Sequence, residues 1–163
     1  MDSKTIVFAT WNDQELGTIR TAPSGCLGWS KTLKLPKGHY REPALSSTDR
    51  QVTYRKVGGG WLRSPLWSQD QGIYIADRSG TNAKRIAKNG RRPVFVNSDK
   101  SIVYQAFEGG ALTLKRLSLE SMETHTLAKS KKAVDIRYSS ESDWLVFREK
   151  HQAHLVLLPK TGR

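Results

Sequence analysis

Ser47-Thr48-Asp49-Arg50-Gln51-Val52-Thr53-Tyr54 reads as a polar turn followed by a strand of the form x-Val-x-aromatic. The phrase returns as Asn97-Ser98-Asp99-Lys100-Ser101-Ile102-Val103-Tyr104, and again as Ser140-Glu141-Ser142-Asp143-Trp144-Leu145-Val146-Phe147. The strand without its turn opens the chain as Thr5-Ile6-Val7-Phe8. The aromatic anchors Phe8, Tyr54, Tyr104 and Phe147 lie 46, 50 and 43 residues apart. A recurrence of roughly 40–50 residues filled with short strands is the spacing of a β-propeller blade. Each blade has an apolar face that it cannot bury alone, so blades stack.

The segments between the anchors read the same way. Short stretches rich in β-branched and aromatic residues are separated by the turn pairs Ser79-Gly80, Asn89-Gly90 and Gly109-Gly110, which is strand periodicity. The first blade supplies strands over 5–10, 17–21 and 32–35, and the second over 42–45, 51–56, 72–76 and 83–86. The third supplies 93–96, 101–107, 112–117 and 123–127, and the fourth 133–138, 144–148 and 154–158. The expected fold is all-β: a partial propeller of about three to four four-stranded antiparallel blades. It forms one domain over 1–163, with blade limits near 1–37, 38–89, 90–129 and 130–163. Blades left in mid-course expose unpaired strand edges, which favours self-association.

A length of 163 residues allows one domain with a sizeable core. Five Trp and the apolar strands are spread along the whole chain, unlike a disordered sequence. The formal net charge is +12. Its densest runs are Lys84-Arg85, Arg91-Arg92 and Lys129 to Lys132, near predicted strand ends and turns. None interleaves several cations with aromatics, so nucleic acid is a disfavoured partner; a solvated surface or a face toward an acidic neighbouring domain remain. The lone Cys26 permits no internal disulfide and lacks companions for a structural zinc. No secretory apolar region follows Met1, and no apolar run reaches membrane-spanning length.

One insertion breaks the repeat. Between the second and third strands of the second blade lies Val57-Gly58-Gly59-Gly60-Trp61-Leu62-Arg63-Ser64-Pro65-Leu66-Trp67-Ser68-Gln69-Asp70-Gln71. Exposed Trp61, Leu66 and Trp67 would form an apolar patch of the kind that marks a contact site. The other reading is that the tryptophans fold back onto the blade as a small satellite core.

The unit of turn, x-Val-x-aromatic strand and Gly-Ile-Tyr strand resembles the TolB-type propeller repeat, also found in the tricorn protease. Ile73-Tyr74-Ile75-Ala76-Asp77 keeps the x-I-Y-x-x-D half of that repeat. The Ser-Pro-Asp-Gly turn has become Ser47-Thr48-Asp49-Arg50 and Asn97-Ser98-Asp99-Lys100. A narrower resemblance, to the propeller of large bacterial amidohydrolase-type proteins, rests on several stretches. These are His39-Tyr40-Arg41-Glu42-Pro43-Ala44, Tyr54-Arg55-Lys56, Leu62-Arg63-Ser64-Pro65-Leu66-Trp67-Ser68 and Phe147-Arg148-Glu149-Lys150-His151-Gln152-Ala153-His154. It implies a propeller that precedes a metal-dependent hydrolase barrel absent from this chain, in a periplasmic or secreted bacterial parent. The partner would then be the adjacent hydrolase domain or, on the Tol-system reading, an envelope protein. The binding residues it points to are Trp61, Leu62, Arg63, Leu66 and Trp67 in the insertion, and His39, Tyr40, Arg41 and Glu42 at the blade entrance.

Catalytic chemistry finds no purchase. The four histidines are His39, His125, His151 and His154, with no His-x-His pair. The i, i+3 spacing of His151 and His154 falls on a hairpin, where it separates them onto opposite faces. Ser64 sits in Arg-Ser-Pro and not in a nucleophile elbow. Gly58-Gly59-Gly60 lacks the Gly-Lys-Ser/Thr of a phosphate loop. Asp49, Asp99 and Asp143 repeat at one turn position, which points to turn geometry. Arg41 and Glu42 are read as an ion pair, structural between blades or facing the central channel. The expectation is a non-enzymatic chain with no metal and no cofactor.

Overall fold

The structure is a computed structural model and describes residues 5–25, 27–58, 65–131, 133–139, 144–149 and 152–157. Among the described residues fourteen strands run in chain order. The first sheet joins β1 (Thr5–Asn12), β2 (Leu16–Pro23) and β3 (Lys31–Thr32). The second joins β4 (His39–Leu45), β5 (Gln51–Val57), β6 (Gly72–Asp77) and β7 (Lys84–Ala87). The third joins β8 (Arg91–Val96), β9 (Ser101–Glu108), β10 (Ala111–Ser118) and β11 (Thr124–Ser130). The fourth joins β12 (Ala133–Ser139), β13 (Trp144–Glu149) and β14 (Gln152–Leu157). Each strand lies beside its sequence neighbour, so the architecture is the all-β, partial-propeller one that the repeat predicts. By compactness the chain divides into two units, Met1–Pro93 and Val94–Arg163.

The repeat anchors hold matching register. Phe8 faces Arg20, Tyr54 faces Tyr74, Tyr104 faces Lys115 and Phe147 faces His154 across the following strand. Their burial does not match. Tyr54 and Tyr104 are buried, whereas Phe8 is half-buried. Side chains alternate across a strand, and on β1 it is Val7 that packs into the core of the first unit. That core brings together Ile19, Leu33, Tyr40, Val52, Tyr54 and Ala76, with Leu45 and Tyr74 at its margin. It is the face that neither of the first two sheets could bury alone. In the second unit Val96, Val103 and Leu114 form an aliphatic core beside Val94, Leu127 and Ala128.

Several strand ends differ from the sequence expectation. The third strand of the first sheet stops at Thr32, because the chain then turns Leu33 into the core while its amide still donates to Ile19. The amide of Lys34 leaves for the carbonyl of Ser79. Conversely β4 starts at His39, ahead of the expected Glu42, and β8 at Arg91, ahead of the expected Pro93. Pro43 lies within a register shift between Arg41 and Ala44, where a residue without an amide donor is tolerated.

The repeated aspartates, Asp49 and Asp99, take φ of 57° and 66°. That is the left-handed region, which Asp and Asn enter more readily than other residues. The turn before β5 is held by the Ser46 hydroxyl, which accepts from the amides of Arg50 and Gln51 at 3.2 and 3.0 Å. The third copy of this turn, with Asp143, lies outside the described residues.

Candidate functional site

At one end of the second sheet the insertion returns to the fold through Pro65 and a single 3-10 turn, Leu66–Ser68. Ser68 anchors it: its amide and its hydroxyl both donate to the Pro65 carbonyl, at 2.8 and 3.0 Å, and the residue is buried. The far end is fastened by the Tyr74 hydroxyl, which donates to the Asp70 carbonyl at 2.6 Å, and by Arg85 against the Asp70 carboxylate at 3.3 Å. This clamp fixes Trp67 half-buried and leaves Leu66 83 % exposed.

Trp67 meets Trp11, from the end of β1, with ring centroids 6.2 Å apart. Trp11 in turn lies 4.7 Å from the His39 ring and remains 47 % exposed. Both contacts are tilted, at 56° and 54°. The two residues of the insertion's turn differ in burial. Trp67 folds back onto the end of β1, while Leu66 is exposed. Trp61, Leu62 and Arg63 lie outside the described residues.

His39 begins β4. Its Nε2 accepts from the Nε of Arg41 at 2.9 Å, which requires an unprotonated nitrogen. Burial, then the guanidinium of Arg41, then that of Arg55 hold its pKa below the ordinary histidine value. Arg41 thus bonds an imidazole and not Glu42, contrary to the ion pair expected from sequence. Glu42, at φ of 55° in the β4 bulge, approaches Arg55 at 4.0 Å and accepts from the amide of Arg92 at 2.6 Å. Tyr40 belongs to the core and not to a binding face. It is 4 % exposed, its hydroxyl donates to the Pro36 carbonyl, and its ring stands edge-on to Tyr54 at 5.4 Å. Burial, then the neighbouring Tyr74, pushes its pKa up to about 12. Tyr54 stacks on Tyr74 at 5.6 Å, and its pKa is raised further by burial and then by Tyr40 and Tyr74.

Trp11, Arg55 and Arg92 were not singled out by the sequence reading. A signal for Arg92 exists: Arg41-Glu42-Pro43 and Arg91-Arg92-Pro93 are separated by the same 50 residues as Tyr54 and Tyr104. Glu42 and Arg92 share a positive φ, 55° and 52°, so the motif marks one backbone device used twice. Trp11 carries no such signal, because its contacts come from another sheet.

The arrangement offers aromatic faces and guanidinium groups for binding. Among the described residues no group of three or more His, Cys, Asp or Glu side chains is placed to hold a metal ion. Among them, too, no helix is long and apolar enough to cross a membrane.

No protein-family model matches the chain, and no curated protein matches it. Solved structures do. A TolB from Acinetobacter baumannii is similar over 94 % of this chain and 38 % of its own, with TM-score 0.72 and 18 % identity. The tricorn protease is similar over 98 % of this chain and 20 % of its own, with TM-score 0.72 and 10 % identity. A chain of a nidogen/laminin complex is similar over 96 % and 57 %, with TM-score 0.70 and 14 % identity. This chain thus spans between a fifth and three-fifths of the length of these proteins, and what it shares with them is the TolB-like β-propeller fold.

Proposed function

We propose that this chain is a non-catalytic, TolB-like propeller module, its four sheets consecutive blades of one domain, within a larger amidohydrolase-like protein. It acts by binding: the blades hold the insertion in place, and the insertion meets a protein partner, the adjacent hydrolase domain, whose access to substrate it gates. The observation that carries the reading is Leu66, 83 % exposed on a turn clamped by Ser68, next in sequence to Trp67, whose ring meets the half-exposed Trp11. An exposed apolar group held on a hydrogen-bonded turn is what an interface anchor looks like. The sequence resemblance over residues 39–44 and 62–68 supports the choice of parent. The rival is a stand-alone protein-binding propeller of the Tol envelope type, which the TolB likeness favours equally at the level of fold.

The coding sequence past Arg163 separates the two. On the leading reading it encodes a His-x-His motif and further metal ligands; a stop codon directly after Arg163 would sink that parent. The encoded domain is then expressed apart from this chain and the association measured. Leu66→Asp and Trp67→Ala should each weaken it by more than roughly tenfold. Unchanged association would remove the insertion from the interface. Light scattering of the chain alone at rising concentration reads whether the same face serves self-association, which Leu66→Asp would then abolish.

A further inference from the structure

Arg41 on β4 stands directly opposite Arg55 on β5. Like charges facing each other across an antiparallel pair destabilise it, and among the described residues one carboxylate, Glu42, lies near the pair. Glu42 reaches only Arg55, at 4.0 Å, and gives its other oxygen to the amide of Arg92. Arg41 is exposed and donates to His39, an imidazole that brings no negative charge. Both guanidinium groups lie near enough to His39 to disfavour its protonation. Against the same imidazole lies Trp11, then Trp67, whose preceding residue is the exposed Leu66. A pair of cations is thus held at one side of an accessible aromatic and aliphatic ledge.

We propose that this corner of the first unit binds an acidic segment of a partner protein, a carboxylate lying between Arg41 and Arg55 and an adjacent apolar side chain on Trp11, Trp67 and Leu66. The inference rests on the protein-binding reading above and supplies the partner's chemistry. Guanidinium and carboxylate match in shape and charge, and bridging the opposed arginines removes their mutual repulsion in the bound state. A net charge of +12 draws such a segment in from a distance. The geometry argues against polymers with repeated rings: the indoles are tilted by 56° and form no succession of parallel platforms.

The test uses the whole chain and reads tryptophan fluorescence and calorimetric heat. The probes are a capped peptide of alternating Leu and Glu, the same peptide with Gln for Glu, polygalacturonate, and a single-stranded DNA. The Leu-Glu peptide should bind, more weakly as salt rises. Arg41→Gln, Arg55→Gln and the Gln peptide should each weaken binding by roughly tenfold, and Trp67→Ala should weaken it as well. Arg41→Gln should leave the unfolding midpoint unchanged or raise it, since it removes an opposed charge; this separates a binding role from a structural one. If the Gln peptide binds equally and still depends on Trp67, the acidic partner is overturned and the protein-binding reading stands. Stronger binding of polygalacturonate or DNA than of the peptide overturns the partner class. Failure of both peptides to bind overturns the inference, while the association measured with Leu66→Asp judges the protein-binding reading on its own.

Discussion

Between β9 and β10 the chain turns on Gly109 and Gly110, both at positive φ, and the two strands pair from Glu108 and Ala111 onward. Between β5 and β6, at the same place in the preceding sheet, it passes through residues 58–71 before pairing resumes at Gly72. Two residues suffice for the topology, so the longer link is not a requirement of the fold. The cores differ in the same sense. The third sheet packs Val96, Val103 and Leu114, while the second stacks three tyrosines, Tyr40, Tyr54 and Tyr74, two of whose hydroxyls bond backbone carbonyls. One of those carbonyls belongs to Asp70, in the insertion. The aromatic sheet is therefore also the support of the candidate site, and the aliphatic sheet is scaffold.

The largest expected effects lie in the two cores. Tyr54→Ala removes a fully buried ring and two ring contacts, and should cost about 4 kcal/mol. Leu114→Ala should cost about 3 kcal/mol by the cavity it leaves. Urea unfolding of the two variants measures the difference. A larger loss for Leu114→Ala would show that the tyrosine stack adds nothing beyond its area. The stack also sets an alkaline limit. The folded-state pKa of Tyr40 lies at about 12 against 10.0 for a free tyrosine, so folding favours the neutral phenol. That contribution is complete below pH 10 and is lost as pH climbs from 10 to 12. The unfolding midpoint should fall across that window, and Tyr40→Phe should flatten the fall.

Glycines at the two links give the next contrast. A Cβ on Gly72, at φ of 148°, would lie 2.2 Å from the Ala87 carbonyl oxygen, a backbone atom that cannot step aside. Gly72→Ala should cost about 3 kcal/mol. Gly110, at φ of 72°, has open space around it, so Gly110→Ala should cost about 1 kcal/mol, the left-handed backbone term alone. Thermal unfolding of both variants checks the ranking; equal losses would mean that β6 and β7 part easily at Gly72.

Most of the fold was legible because alternation and turn residues are local signals. The repeat located the strands within a few residues, and each of the four anchors found its register. What escaped was whatever depends on a second strand. Phe8 matches Tyr54 in sequence yet is half-buried, since Val7 is the side chain turned to the core. Glu42 and Pro93 read as strand starts, while β4 and β8 begin earlier and run through a positive φ at Glu42 and Arg92 that the sequence alone does not announce. Trp67 was visible in the insertion; its neighbour Trp11 was not, because 56 residues separate them in sequence. Glu42 read as the partner of its neighbour Arg41 and binds the amide of Arg92 across 50 residues. Glu42→Ala should cost about 1.5 kcal/mol in urea unfolding through loss of that charge-assisted bond. A neutral result would mean that water takes the place of the carboxylate at the Arg92 amide.

The smallest effect is expected at the surface, and it separates use from support most sharply. Leu66 and Phe107 are both exposed, at 83 % and 72 %, one on the turn of the insertion and the other on β9. Neither contributes its side chain to a core, so Leu66→Ser and Phe107→Ser should each leave stability within about 0.5 kcal/mol of the parent. If exposure alone made a docking surface, both substitutions would weaken association with the partner domain. Leu66 precedes Trp67 on a clamped turn, and Trp67 in turn meets the Trp11 ring, so Leu66→Ser should weaken association and Phe107→Ser should not. Equal weakening would move the contact surface out to the third sheet, and weakening by Phe107→Ser alone would exchange the roles assigned to the two sheets.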